Sequence, residues 1–64
     1  MYRNRMREIR NRKNITLKEL SEATGVSVGY LCHLEKGSRR NPSMQTMQAI
    51  AEGLKERIEY VFFD

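Results

Sequence analysis

The chain has one cysteine, one histidine, one proline and no tryptophan among its 64 residues. A single thiol, Cys32, cannot close an internal disulfide, and such cysteine usage suits a reducing cytoplasm. With only Cys32 and His33 as soft ligands, no zinc site can be completed from cysteine and histidine. Neighbouring residues on a helix also diverge by about 100°, so this pair cannot act as nucleophile and base. Neither a glycine-rich phosphate loop nor a pair of carboxylates in an evident pocket is present. Enzymatic activity, a metal, a cofactor and a small-molecule ligand are therefore not expected. No apolar run approaches the roughly 18 residues of a membrane span, and the N-terminus lacks a signal-peptide core. A cytoplasmic location is the expectation. Met1 opens the chain and no tag is visible, so the sequence reads as a complete small protein.

What remains is a short, basic chain expected to form one domain over residues 1–64. A chain of this size buries only about 60% of the surface its unfolded form exposes. Idealised helix packing or dimerisation usually compensates for so small a core. The net charge is +4, from 12 basic and 8 acidic residues. Arg3, Arg5, Arg7, Arg10, Arg12 and Lys13 crowd the first thirteen positions, where Glu8 is the lone acid. Lys36, Arg39 and Arg40 form a second basic knot, whereas most acids lie elsewhere. A basic footprint with an acidic remainder is the electrostatic pattern of a nucleic-acid binder. Positive charge at a helix N-terminus opposes the macrodipole, which makes a nearby polyanion the better account of Arg3, Arg5 and Arg7.

The periodicity predicts an all-α fold of five helices, without repeats. The first covers about 2–12, with Tyr2, Met6 and Ile9 on one stripe. Thr16 and Glu19 form a capping box, with Ile15 and Leu20 as its hydrophobic staple, so a second helix spans 17–24. It buries Leu17, Leu20 and either Ala23 or Thr24. Gly25 stops it in a left-handed conformation. Ser27 caps a third helix over 28–36, stapled by Val26 and Leu31 and ended by Gly37. Pro42 disfavours helix in the residue before it, and Ser43 caps a fourth. Met44, Met47, Ile50, Ala51 and Leu54 make that helix's apolar stripe. Residues 57–64 favour a fifth short helix, yet Ile-Glu-Tyr-Val-Phe-Phe also has strand composition.

Two short helices joined by a glycine turn over 16–36 form a helix-turn-helix, whose second helix lies in the DNA major groove. Leu17, Leu20, Ser21, Gly25, Val26, Ser27, Leu31 and Leu34 resemble the signature of the Cro/CI (Xre-type) repressor family. Glu35, Gly37 and Asn41-Pro42-Ser43 resemble the segment that follows it. The resemblance implies a lambda-repressor-like fold and a sequence-specific regulator of transcription, most simply a repressor. It further implies a homodimer on a palindromic operator in double-stranded DNA.

On the third helix a 100° step turns Leu31 and Leu34 inward and Gly29, Cys32, His33 and Lys36 outward, with Val28 on the margin. The family's base-contacting positions map to Val28, Gly29 and His33. Val28 suits a thymine methyl, and a His33 N–H suits guanine. Gly29 is open to three accounts: close approach of DNA, room for a neighbouring side chain, or drift at an exposed position. Phosphate contacts are expected from Thr16 and Leu17 at the start of the second helix and from the Ser27 cap. Lys36, Arg39, Arg40 and Asn41 are expected to add further ones. Arg10 and Glu35 are implied by the resemblance to form a partly buried ion pair. The family often places Gln, Arg or Asn where Val28 and Gly29 stand. That departure keeps open an alternative, a protein-binding module such as an antirepressor or partner subunit with a residual helix-turn-helix.

Overall fold

The computed structural model describes residues 4–37 and 42–63. All regular structure among them is helical: α1 (Met6–Lys13), α2 (Leu17–Thr24), α3 (Val28–Lys36), α4 (Met44–Leu54) and a π-helical turn, α5 (Glu59–Phe63). α2 and α3 have the limits read from their caps. Glu19 N donates to Thr16 Oγ1 at 3.0 Å while Thr16 N donates to Glu19 Oε1 at 2.9 Å, completing the capping box. Ser27 Oγ accepts from Tyr30 N at 3.2 Å and Ser43 Oγ from Thr46 N at 3.0 Å. Such caps contribute about 1 kcal/mol each.

α1 starts at Met6, later than the expected residue 2; Tyr2 and Arg3 lie outside the described residues. The side chain of Asn4 supplies the reason. Its Oδ1 accepts from Met6 N at 3.0 Å, an alternative to another helical turn. Arg5 N, the next donor, goes to Val61 O at 2.9 Å instead of into a helix. At the far end Asn14 closes α1 in the left-handed region, with φ 59°.

Met6, Ile9, Leu20, Leu31, Leu34, Ile50 and Leu54 are fully enclosed, and Val61 and Phe62 close the core from the C-terminal side. Ile15, Leu17, Val26, Tyr30 and Ile58 pack partly against it. In α2 the inward neighbour of Leu20 is Thr24, not Ala23, which is exposed. Met44 departs from the expected stripe at 60% exposure. It is the first helical residue of α4, and the enclosed layer begins one turn later at Met47.

Residues 59–63 settle as helix rather than strand. Burial of Val61 and Phe62 outweighs their β preference, which largely measures packing on a pleated surface. The turn is fastened from α1. Arg5 Nη1 donates to Tyr60 O at 2.8 Å and the guanidinium sits 4.7 Å from the centroid of the Tyr60 ring. Arg12 Nη1 reaches Tyr60 OH at 3.4 Å.

The end of α4 is fastened in the same way. Lys55 takes the left-handed C-terminal position with φ 60°, where a residue with a Cβ is about 1–2 kcal/mol less comfortable than glycine. Lys13 Nζ donates to Leu54 O at 2.8 Å and Lys55 O at 3.2 Å, placing a cation on the negative end of the helix. The same ammonium lies 3.0 Å from Glu56 Oε2, and Arg12 Nη2 lies 3.2 Å from it. The Lys13 hydrogen bond, foremost, holds the Glu56 carboxyl below its ordinary pKa.

Gly53 brings α2 and α4 together. A Cβ there would stand 2.9 Å from Leu20 Cδ1 and 3.0 Å from Thr24 Cγ2. Alanine would gain up to about 1 kcal/mol in helix propensity, but overpacking costs about 1–3 kcal/mol. Gly53→Ala is expected to lower the melting temperature. An unchanged or higher value in a thermal melt would show slack between the two helices.

Candidate nucleic-acid interface

The turn between α2 and α3 is three residues long, and a side chain not singled out from the sequence shapes it. Thr24 Oγ1 donates to Leu20 O at 2.8 Å and accepts from Val26 N at 3.1 Å, bridging the end of α2 to the turn. Gly25 follows with φ 77°, its N–H donating to Ser21 O at 2.8 Å. Val26 then folds back onto the core and Ser27 starts α3. Leu31 and Leu34 face inward with no exposed surface. Gly29, His33 and Lys36 are exposed, and Val28 is 43% exposed, so the leading turn of α3 presents an apolar surface to solvent. Cys32 departs from the expected outward face. It is half-buried.

The far end of α3 is held at two consecutive residues, by Asn4 just before α1 and by Arg10 within it. Asn4 Nδ2 donates to Leu34 O at 2.9 Å. Arg10 Nε donates to Glu35 Oε2 at 2.6 Å and Nη2 to Oε1 at 3.1 Å, a two-pronged pair with side chains only 12% and 5% exposed. Arg10 Nη1 also donates to Ile15 O at 3.0 Å, so one guanidinium joins α1, the α1–α2 connection and α3. The hydrogen bond to Glu35, foremost, raises the Arg10 pKa above its ordinary value. The implied ion pair is thus present, with each of the three guanidinium nitrogens donating to an oxygen.

The N-terminal basic cluster needs correction. Of its six members, Arg5, Arg10, Arg12 and Lys13 have partners within the fold, on Tyr60, Glu35 and Ile15, Glu56, and the end of α4. Arg5 is turned onto the Tyr60 ring rather than outward to a polyanion. Arg7 is exposed, and Arg3 lies outside the described residues. Crowding of like charge in the sequence reflects four separate ties made by α1, a pattern no local signal distinguishes from a binding footprint.

The expected phosphate-facing residues divide. Thr16 N is engaged by the Glu19 carboxylate, which also sets a negative charge at the first turn of α2. The N–H groups of Leu17 and Lys18 belong to that turn and have no acceptor within the helix. Beside them lies a depression of about 380 Å³ lined by Arg10, Asn11, Asn14, Ile15, Thr16 and Leu17. Ser27 is exposed at the start of α3 and Lys36 at its end. Arg39, Arg40 and Asn41 lie outside the described residues. Among the described residues no group of His, Cys, Asp or Glu is placed to hold a metal, and no helix is long and apolar enough to cross a membrane.

Two capped helices crossing on a left-handed glycine, with an exposed second helix braced from behind, define a helix-turn-helix domain. A family model described as helix-turn-helix matches residues 6–61. The chain belongs to the Cro/CI (Xre-type) helix-turn-helix family. It is 45% identical over 47 residues to the HTH-type transcriptional regulator DdrOP3 of Deinococcus deserti, covering 73% of this chain and 36% of that protein. It is 36% identical over 59 residues to the transcriptional regulator ClgR of Mycobacterium tuberculosis, covering 92% and 52%. An uncharacterized HTH-type transcriptional regulator of Archaeoglobus fulgidus is 37% identical over 60 residues, covering 94% and 83%. The chain therefore spans about a third to a half of the first two relatives, and most of the third. These relatives are regulators of transcription, not enzymes.

Removing the guanidinium of Arg10 leaves the Glu35 carboxylate buried without its partner. Arg10→Ala is expected to cost about 3–5 kcal/mol, a large part of the stability of so small a domain. Chemical denaturation of the variant beside the parent measures it. A loss below about 1 kcal/mol would mean the pair behaves as an exposed one.

Proposed function

We infer that this chain is a sequence-specific regulator of transcription that binds double-stranded DNA, acts as a repressor and reads the major groove with α3. The observation that carries this reading is the two-sided character of α3. Leu31 and Leu34 are enclosed and Leu34 and Glu35 are clamped by α1, while Val28, Gly29 and His33 stand exposed on the opposite face. A helix held rigidly from behind and open in front is what insertion into a groove about 12 Å wide requires. In this reading Val28, Gly29 and His33 meet base edges. Thr16, Leu17, Ser27, Lys36, Arg39, Arg40 and Asn41 meet phosphate from the two flanks of the groove. The site of action is cytoplasmic, on chromosomal or mobile-element DNA, with no cofactor.

One helix-turn-helix offers few base contacts, so the domain works as a homodimer on a palindrome with half-sites about one helical turn apart. The surface that supports pairing is at the C-terminus. Phe63 is 56% exposed beside a depression of about 270 Å³ that it lines with Arg57, Glu59 and Tyr60. Arg57 and Glu59 are exposed and lie 3.8 Å apart as an ion pair at the rim of that surface. Sedimentation at high micromolar concentration, with and without operator, is expected to show a dimer. A strict monomer in both conditions would remove this part of the assignment.

Selection from random duplex DNA should return a short, two-fold related sequence. Affinity for it is expected to fall by roughly 0.9 log unit per log unit of salt for each phosphate neutralised. His33→Ala should relax preference at one base pair by about 1–3 kcal/mol, whereas Arg40→Ala should weaken all sequences alike and reduce the salt slope by about one phosphate. Binding that is flat from low to moderate salt would assign the exposed face of α3 to a protein partner instead.

A further inference from the structure

Asn4 makes two contacts of opposite kind. Its Oδ1 accepts from Met6 N at 3.0 Å, and its Nδ2 donates to Leu34 O at 2.9 Å, 30 positions along the chain. A donor on one side and an acceptor on the other require an oxygen and an N–H at the end of one short stem. A carboxamide presents both, on separate atoms. The first contact alone does not call for asparagine. Aspartate, serine or threonine can accept from a backbone N–H two residues on, and aspartate would also suit the positive end of α1. The half of the side chain that singles out asparagine over these is the half that reaches α3.

What that half touches is main chain. Leu34 O lies in the last turn of α3, where carbonyls lack the partners of a continuing helix, and Gly37 N reaches it at 3.2 Å. Arg10 meets α3 at the tip of the Glu35 side chain, with rotatable bonds between the carboxylate and the helix. Asn4 meets the backbone itself. Helical carbonyls lie roughly along the axis, so a donor held at the start of α1 fixes α3 lengthwise. Position along that axis decides which base pairs the exposed residues of α3 face.

We propose that Asn4 is a positioning residue for DNA recognition: through Leu34 O its carboxamide sets α3 along its own axis, and with it the margin between operator and other duplex DNA. The inference rests on the DNA reading above and adds to it a residue whose two polar atoms are engaged within the chain.

The test separates the two halves of the side chain. In Asn4→Ser the hydroxyl still accepts from Met6 N but is too short to reach Leu34 O. In Asn4→Asp the acceptor stays and the donor becomes a second oxygen facing that carbonyl. Both are titrated beside the parent with the selected operator and with random duplex of the same length, at one salt concentration. A variant that only folds less well loses affinity for both duplexes by the same factor. Asn4→Ser should instead bind operator about three- to tenfold more weakly, at most the worth of the hydrogen bond released, and random duplex as the parent does. In Asn4→Asp the added charge weakens both, but the ratio of operator to random affinity should fall at least as far as in Asn4→Ser. Thermal melts with each duplex read the same ratio for a variant partly unfolded at the titration temperature, since each duplex raises the melting temperature according to its affinity. A ratio in Asn4→Ser equal to the parent's overturns the inference, whatever its melting temperature, and leaves the DNA reading standing. A parent chain that prefers no duplex over random DNA overturns both.

Discussion

The paired hydrogen bonds from Arg10 to Glu35 fix the one geometric relation on which the rest of the molecule depends, the angle of α3 to its scaffold. The core holds α3 through Leu31 and Leu34, with Tyr30 packed partly against it. A planar guanidinium gripping a planar carboxylate resists rotation, because both hydrogen bonds are lost when the planes rotate. Arg10 Nη1 on Ile15 O extends the constraint to the start of α2. Asn4 on Leu34 O adds a second tie one residue away from Glu35. Burying two charges has a desolvation cost that a hydrophobic pair would avoid. What the pair adds is direction, a fixed orientation of α3 against α1.

α1 thus works as a brace. On one side it grips α3, on another it places Lys13 on the last carbonyls of α4, and at its N-cap it sets Arg5 on Tyr60 of α5. Each tie uses a long cationic side chain whose head meets a carbonyl or carboxylate. This is economical for a chain that can enclose only about a dozen apolar side chains. Charges used this way still contribute to the field around the domain, but they no longer mark where a polyanion touches it.

The leading turn of α3 is left with little conventional readout chemistry: an apolar wall at Val28, a bare backbone at Gly29 and an imidazole at His33.

By itself the sequence determined whatever is settled within one turn of chain. The Thr16–Glu19 box, the Ser27 and Ser43 caps and the left-handed Gly25 are local, so the limits of α2 and α3 were legible from residue type and spacing. The start of α1 was not, because Arg5 N is drawn off by Val61 O, 56 positions away. The same holds for Arg5 on Tyr60 and for Asn4 on Leu34, each decided by a residue distant in the chain. The segment 59–63 carried strand-like composition, and only the enclosure of Val61 and Phe62 by the other helices made it helical. Gly29 is the inverse case. Its residue type was plain from the start, but only the empty space around it in the tertiary structure removed the internal explanation, because whether a Cβ would meet anything depends on which elements pack nearby.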